Sequence, residues 1–396
     1  MTAHGTSETQ TKVVVIGGGY SGTLAANRLR RRPGLHITLV NPRPRFVERI
    51  RLHQFVAGTH EATADYDTLL GDGIELVVDT ATRIDTADRR IELASGTTLD
   101  YDYVIYAVGS TTALPTSVPG AAEFGYSVAE LESAQQLRSA LADLHPAAPV
   151  TVVGGGLTGV ETAAELAEQG RRVTLIGGGQ LVPTFSGPGR RSVVKALRRL
   201  GVTLMAADVV TEVRRDAVVL ADGAVRPSAV TIWATGFGVP ALAAASGLRT
   251  DDMGRLLTDE TLTSVDDERI VAAGDCASPS GAPLRMCCAT ASQIGPQAAD
   301  TVLSRIGGDI PARFDYAYAG ACISLGRRAG IVQLARKDDA AVNVYLGGRM
   351  GARLKEAVCK GTLWSLRRAA RKPEFAIAFK GGPRPTEPVP LPRAAV

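Results

Sequence analysis

VVVIGGGYSGTLAANRLRRRPGLHITLVNPRPRF, residues 13–46, is the stretch on which the fold turns. Val13 to Ile16 is a continuous apolar run, the pattern of a strand buried on both faces. Gly17, Gly19 and Gly22 follow as G-x-G-x-x-G, and Thr23 to Arg32 reads as a helix rich in Ala, Leu and Arg. Each glycine has a separate physical task. The first makes a tight turn, the second lets a pyrophosphate approach the backbone, and the third lets helix and strand pack closely. The helix start adds unpaired N–H groups and a partial positive charge for phosphate. A strand before the motif and a helix after it make the spacing specific for a dinucleotide. The second strand ends at Asn41, where a carboxylate ordinarily grips the ribose. Asn41 can hydrogen-bond a ribose hydroxyl, without charge assistance.

The pattern then recurs. APVTVVGGGLTGVETAAELAEQGRRVTLIGGG, residues 148–179, repeats strand, Gly154-x-Gly156-x-x-Gly159, helix and second strand. Two cradles in one chain point to two dinucleotides, one held tightly and one exchanging. Each cradle has a companion strand that stops at a small residue and a glycine. DYDYVIYAVGSTT (100–112) stops at Gly109, and SAVTIWATGFGVP (228–240) stops at Gly236. Open α/β sheets bind ligands at such strand ends.

Composition narrows the class. The chain has 396 residues, enough for more than one domain, with 45% apolar and 21% charged residues. A formal charge of +4 is too small to imply nucleic-acid binding. No apolar run reaches the roughly 20 residues of a membrane span. The polar start MTAHGTSETQTK lacks the apolar core of a signal peptide and reads as a frayed tail. Five cysteines, an odd number without a C-x-x-C pair, suit a reducing cytosol. The Pro-rich end, 381–396, reads as disordered.

In this order the segments resemble the FAD-dependent pyridine-nucleotide oxidoreductases that carry two dinucleotide-binding domains. TSVDDERIVAAGDCAS, residues 263–278, is similar to that superfamily's second flavin motif, in which the Asp, here Asp275 after Gly274, meets the ribityl or phosphate region of FAD. RIRLHQFVAGT, GVETAAELAE and FDYAYAGACISLGRRAG resemble the type II NADH dehydrogenase and apoptosis-inducing-factor-like branch. The likeness spans residues 12–372. It implies an α/β fold of two Rossmann-like domains, the second inserted in the first, with a small C-terminal α+β region. The expected division is 12–113 and 246–312 for FAD, 114–245 for NAD(P)H, and 313–380 for the C-terminal region.

The resemblance also assigns roles. FAD falls to the site of Gly17, Gly19, Gly22, Asn41, Gly109, Gly274 and Asp275. NAD(P)H falls to that of Gly154, Gly156, Gly159 and Gly236. Glu161 takes the acidic position near nicotinamide and flavin, where it would orient the ring or assist proton movement. Taken alone, Glu161 reads as a helix-start carboxylate favoured by the helix dipole. Gln293 matches one of two quinone-facing Gln positions, while Ala289 replaces the other. The acid expected near Gly177 is missing, and Arg190 and Arg191 lie downstream, so NADH and NADPH both stay open. Cys287 and Cys288 read as small apolar groups, with a reactive thiolate as the alternative. His53 reads as structural, with proton donation near the flavin as its alternative.

The expected activity is hydride transfer from NAD(P)H to FAD and onward to an acceptor, with a quinone leading. A flavin-dependent oxidase or tailoring enzyme and a non-enzymatic redox sensor are the alternatives. Between Arg349 and Lys372 stand eight basic residues and one acid. Arg349, Arg353, Lys360, Arg367 and Arg371 form a helical stripe, beside an adjoining face of Met350, Leu354, Val358 and Trp364. That helix would touch an anionic membrane surface on the inner face of the cell membrane, or pack on the core or on a second copy. The expected location is otherwise cytoplasmic.

Overall fold

The computed structural model describes residues 10–112 and 114–381. The N-terminal tail and nearly all of the Pro-rich end lie outside the described residues.

The chain opens with β1 (Thr11–Ile16), α1 (Tyr20–Leu29), β2 (Leu35–Asn41), β3 (Ile74–Val78) and β4 (Tyr103–Tyr106). A second unit follows as β5 (Gly125–Ser127), β6 (Pro149–Val153), α2 (Leu157–Glu168), β7 (Arg172–Ile176), α3 (Gly187–Arg199), β8 (Thr203–Met205) and β9 (Val230–Trp233). The chain then supplies β10 (Ile270–Ala272) and α4 (Cys288–Gly307). It closes with β11 (Gly320–Ser324), β12 (Gly330–Ala335), β13 (Ala341–Gly347) and α5 (Gly348–Arg371).

Two parallel five-stranded sheets result. The first has the order β10-β4-β1-β2-β3 and the second β5-β9-β6-β7-β8. Because β10 rejoins the first sheet after the whole second sheet has been built, the second unit is inserted in the first. In each sheet the glycine turn leaves a central strand flanked by its own next strand on one side and the companion strand on the other. That crevice is the switch point at which such sheets bind ligands. The apolar runs follow from the burial: Val13, Val15, Val150 and Val152 are wholly inaccessible, as strands covered on both faces require.

Helix α1 begins three residues earlier than the Ala-Leu-Arg pattern suggests. Gly19 is its N-cap in extended conformation, so Tyr20, Ser21 and Gly22 already form the first turn. Helix α4 lies against that turn. A Cβ at Gly295 would come 2.5 Å from the Ser21 carbonyl oxygen, and Ser21 Oγ donates to the Ala291 carbonyl at 3.0 Å. Antiparallel β11-β12-β13 and α5 form the C-terminal layer. Helix α5 buries Gly351, Lys355, Cys359, Leu366 and Ala369. The apolar face read from the sequence, Met350, Leu354, Val358 and Trp364, instead points outward, with Met350 65% and Trp364 56% exposed. Core packing of that face is thereby corrected: the inward side of α5 holds smaller residues and one lysine.

Candidate active site

The first cradle shows why each glycine stands where it does. Gly17 has φ +105°, a left-handed backbone that disfavours any side chain. A Cβ at Gly22 would sink into the Gly17 carbonyl oxygen. Among the described residues nothing lies within 4 Å of a Cβ added at Gly19, so the turn is open at that point. A cavity of about 290 Å³ runs from Gly17–Gly19 past Asn41 to Arg49, Gly109 and Thr111. Asn41 spends part of its amide on the protein. Its Oδ1 accepts from Gly18 N–H at 2.9 Å and its Nδ2 donates to the Arg43 carbonyl at 2.7 Å. One N–H and one lone pair remain for a ribose.

Deeper in the cavity three residues interlock. Arg49 donates through Nη1 to the Ser110 carbonyl (2.9 Å) and hydroxyl (3.0 Å), and through Nε to the Ala129 carbonyl (2.9 Å). Ser110 Oγ donates to Asp275 Oδ2 at 2.7 Å. Burial lowers the Arg49 pKa, with Asp275 opposing. Burial raises the Asp275 pKa against the pull of Ser110 and Arg49. Among the described residues, Asp275 Oδ1 is buried and meets no hydrogen-bond partner. A buried carboxylate oxygen without a partner is costly unless a ligand hydroxyl supplies one. The open turn at Gly19 and the orphaned Asp275 oxygen therefore fit a dinucleotide whose phosphates lie at α1 and whose polyol reaches Asp275. Gly274, at φ +88°, stands where a Cβ would come 2.7 Å from Ser21 Oγ. Arg49 and Ser110 were not singled out in the sequence. Ser110 directly follows Gly109, which was the one available signal, whereas Arg49 has none.

The second cradle repeats the geometry. Gly154 has φ +133° with a hypothetical Cβ 2.7 Å from the Ala234 carbonyl oxygen, and a Cβ at Gly159 would enter the Gly154 carbonyl. Gly156 again faces open space. Gly236, with φ +69°, lies just beyond the companion strand β9.

Between the units lies a buried polar cluster. Glu161, on α2, receives Lys355 Nζ of α5 at 3.1 Å and the Ser324 N–H of β11 at 2.8 Å. His53 Nδ1 stands 4.0 Å from the other Glu161 oxygen, and His53 Nε2 meets Ser324 Oγ at 3.3 Å. Burial pulls the lysine pKa down, but Glu161 overrides it and holds the ammonium above the ordinary lysine range. Burial opposes ionisation of Glu161 too, yet the Lys355 ammonium leads in keeping its pKa below the usual carboxylate value. Glu161 is thus an anion beside a cation at neutral pH. His53 is pushed down to about 4 by burial, against the attraction of Glu161, so it is neutral there. Lys355 was hidden in the sequence among the seven bases of one helix, and only its inward direction distinguishes it.

The remaining candidates divide. All five cysteines are free thiols. Burial pushes Cys276 and Cys288 up to about 12 and Cys359 to about 11, which keeps these thiols protonated near neutral pH. Cys287 is the N-cap of α4 and lies 3.3 Å from Thr290 Oγ1. Gln293 lies on the exposed side of α4, apart from the cavity, and its Oε1 accepts the Phe379 N–H at 2.8 Å. Arg190 and Arg191 open α3, where Arg190 Nη1 donates to Gln180 Oε1 and the Phe185 carbonyl, both at 3.1 Å.

Residues 11–297 match the pyridine nucleotide-disulphide oxidoreductase family. A NADH dehydrogenase-like protein of Mycobacterium tuberculosis is 32% identical over 297 residues, covering 68% of this chain and 73% of the relative. A type II NADH:quinone oxidoreductase of Haemophilus influenzae is 23% identical, covering 67% of this chain and 73% of that one. Among solved structures, the sulfide:quinone oxidoreductase of Aquifex aeolicus shares the fold, with a TM-score of 0.77 and 22% identity over 92% of this chain and 93% of that one.

Proposed function

Because this chain belongs to the pyridine nucleotide-disulphide oxidoreductase family, as an oxidoreductase using FAD and NAD(P)H, we propose that it moves hydride from the nicotinamide nucleotide to the flavin and electrons onward to a quinone. The observation that carries the reading is the pair of cradles of like geometry, each open at its middle glycine, Gly19 and Gly156, in one chain. The flavin supplies the hydride-accepting and electron-releasing chemistry. The balance is NAD(P)H, quinone and one proton giving NAD(P)+ and quinol.

The protein's part is binding, orientation and proton placement. Gly17, Gly19 and Gly22 hold the FAD phosphates at the α1 start, while Asn41 takes the ribose and Asp275 Oδ1 the polyol. Gly109 and Gly236 end the companion strands where backbone passes close to each ligand. Gly154, Gly156 and Gly159 do for NAD(P)H what the first turn does for FAD. Gly274 sets the turn that presents Asp275. Glu161, ionised and tied to Lys355, fixes the charge at the inner end of α2. The Lys355 ammonium and the Glu161 carboxylate hold each other ionised, so the pair sets a fixed local field beside the reaction centre.

The same reading gives α5 a second task. Its outward face interleaves Met350, Leu354, Val358 and Trp364 with Arg349, Arg353, Lys360 and Arg367. Such a face suits the surface of an anionic membrane, where quinones dissolve. The acceptor is tested by reducing the FAD-loaded protein with NADH under anaerobic conditions and mixing it with short-chain quinones. Rapid recovery of the oxidised flavin spectrum with quinol formation is expected. Recovery only with dioxygen would replace the quinone by oxygen.

A further inference from the structure

The two cradles differ at the one position that reads the adenosine ribose. In the first sheet Ile16 pairs with Val40, so the next residue, Asn41, ends β2 against the glycine turn. In the second sheet Val153 pairs with Ile176, which puts Gly177 in the equivalent place. Gly177 is excluded from carrying an acid by sterics. A Cβ there would lie 2.5 Å from the Ala206 carbonyl oxygen and 3.0 Å from Leu181 Cδ2. The loop beyond closes tightly over the turn, with the Val182 N–H on the Gly155 carbonyl at 2.7 Å and Leu181 almost fully buried. Where the first site sets an amide against Gly18, the second sets a leucine against Gly155.

What replaces the acid is positive. Gly178 and Gly179 present backbone alone, and no described residue lies within 4 Å of a Cβ on either. Gln180 follows and is held by Arg190 Nη1. Helix α3 carries Arg190, Arg191, Lys195, Arg198 and Arg199 and no acid. Among the described residues Arg190 meets a side-chain amide and a carbonyl, but no carboxylate. Asp208, on the segment after β8, offers its backbone carbonyl to the Gly178 N–H at 2.9 Å. A carboxylate at the end of β7 would bind the ribose diol and repel a 2′-phosphate, whereas a guanidinium held only by neutral acceptors attracts one.

We infer that the second cradle accepts the 2′-phosphorylated nucleotide, NADPH, at least as well as NADH, with Arg190 as the phosphate contact and Gly177 as the residue that keeps the discriminating carboxylate out. The inference rests on the second cradle being the nicotinamide-nucleotide site and deepens that reading. It is tested by calorimetric titration of the FAD-loaded protein with NADP+ and NAD+, alongside anaerobic flavin reduction by NADPH and NADH. The wild type is expected to bind NADP+ no more weakly than NAD+. Arg190→Ala should weaken NADP+ binding and NADPH reduction by about ten-fold or more, the worth of a charged hydrogen bond. NAD+ binding and NADH reduction should change little, which also shows that the variant is folded. Arg191→Ala, at an exposed neighbour, should affect neither nucleotide comparably. Binding of NAD+ alone by the wild type, or equal losses for both nucleotides in Arg190→Ala, overturns the inference and leaves the proposed hydride donor standing. Failure of both nucleotides to bind or reduce the flavin overturns the proposed function with it.

Discussion

Lys355 and Glu161 neutralise each other in the interior, and each depends on the other. Removing one partner of a buried pair leaves an uncompensated charge and costs about 3 kcal/mol or more. Lys355→Met should therefore lower the thermal midpoint markedly, and Lys355→Met with Glu161→Gln should recover part of the loss. A double variant no more stable than the single one would contradict the pairing. His53 gives the pH dependence. Its folded pKa, about 4, lies below the ordinary 6.5, so the unfolded chain binds the extra proton first. The contribution is complete above about pH 6.5 and is lost as pH falls toward 4, on the order of 3 kcal/mol in all. His53→Gln should flatten the acid limb of stability against pH in denaturant titrations. Asp275→Ala should weaken FAD by about ten-fold or more through loss of a buried hydrogen-bonded carboxylate, as read by flavin fluorescence during titration. Asp275 and the six cradle glycines were legible in the sequence because their chemistry is local to a strand, a turn and a helix. Lys355, Ser324 and Arg49 were not, because tertiary packing alone brings them within reach of residues far away in the chain.

At the scale of the element, the glycines separate folding from binding. At Gly22 an added methyl meets backbone, so Gly22→Ala should disrupt the turn itself and yield unstable, flavin-poor protein. At Gly156 an added Cβ meets no described atom within 4 Å. Gly156→Val should then retain FAD, keep its unfolding free energy within about 0.5 kcal/mol, and lose reduction by NAD(P)H. A Gly156→Val protein reduced at the wild-type rate would show that the nucleotide lies elsewhere. Strand and helix periodicity sufficed to read β1, α1 and their repeats, since parallel strands covered on both faces leave unbroken apolar runs. It failed on α5. The basic stripe was visible, but the burial of the narrow Gly351-Lys355-Cys359 side depends on β11 and β12, which the helix's own pattern does not encode.

Across the whole molecule, the two sheets present their glycine turns and companion strands at comparable switch points, and the C-terminal layer seals the polar cluster between them. Among the described residues no helix is long and apolar enough to cross a membrane. The bilayer contact proposed above rests on the outward face of α5, where exposed apolar and basic side chains alternate. Replacing Met350, Leu354 and Trp364 together with Ser should reduce co-sedimentation with anionic vesicles while leaving reduction by NADH intact. Unchanged co-sedimentation would remove α5 from that role. The central claim, that one chain stacks a held flavin beside an exchanging nicotinamide nucleotide, is tested most directly by anaerobic rapid mixing of the FAD-loaded protein with NADH and with NADPH while flavin absorbance is followed. The account predicts rapid bleaching by at least one nucleotide in the wild type and none in Gly156→Val. A wild-type flavin that stays fully oxidised with both nucleotides would contradict it.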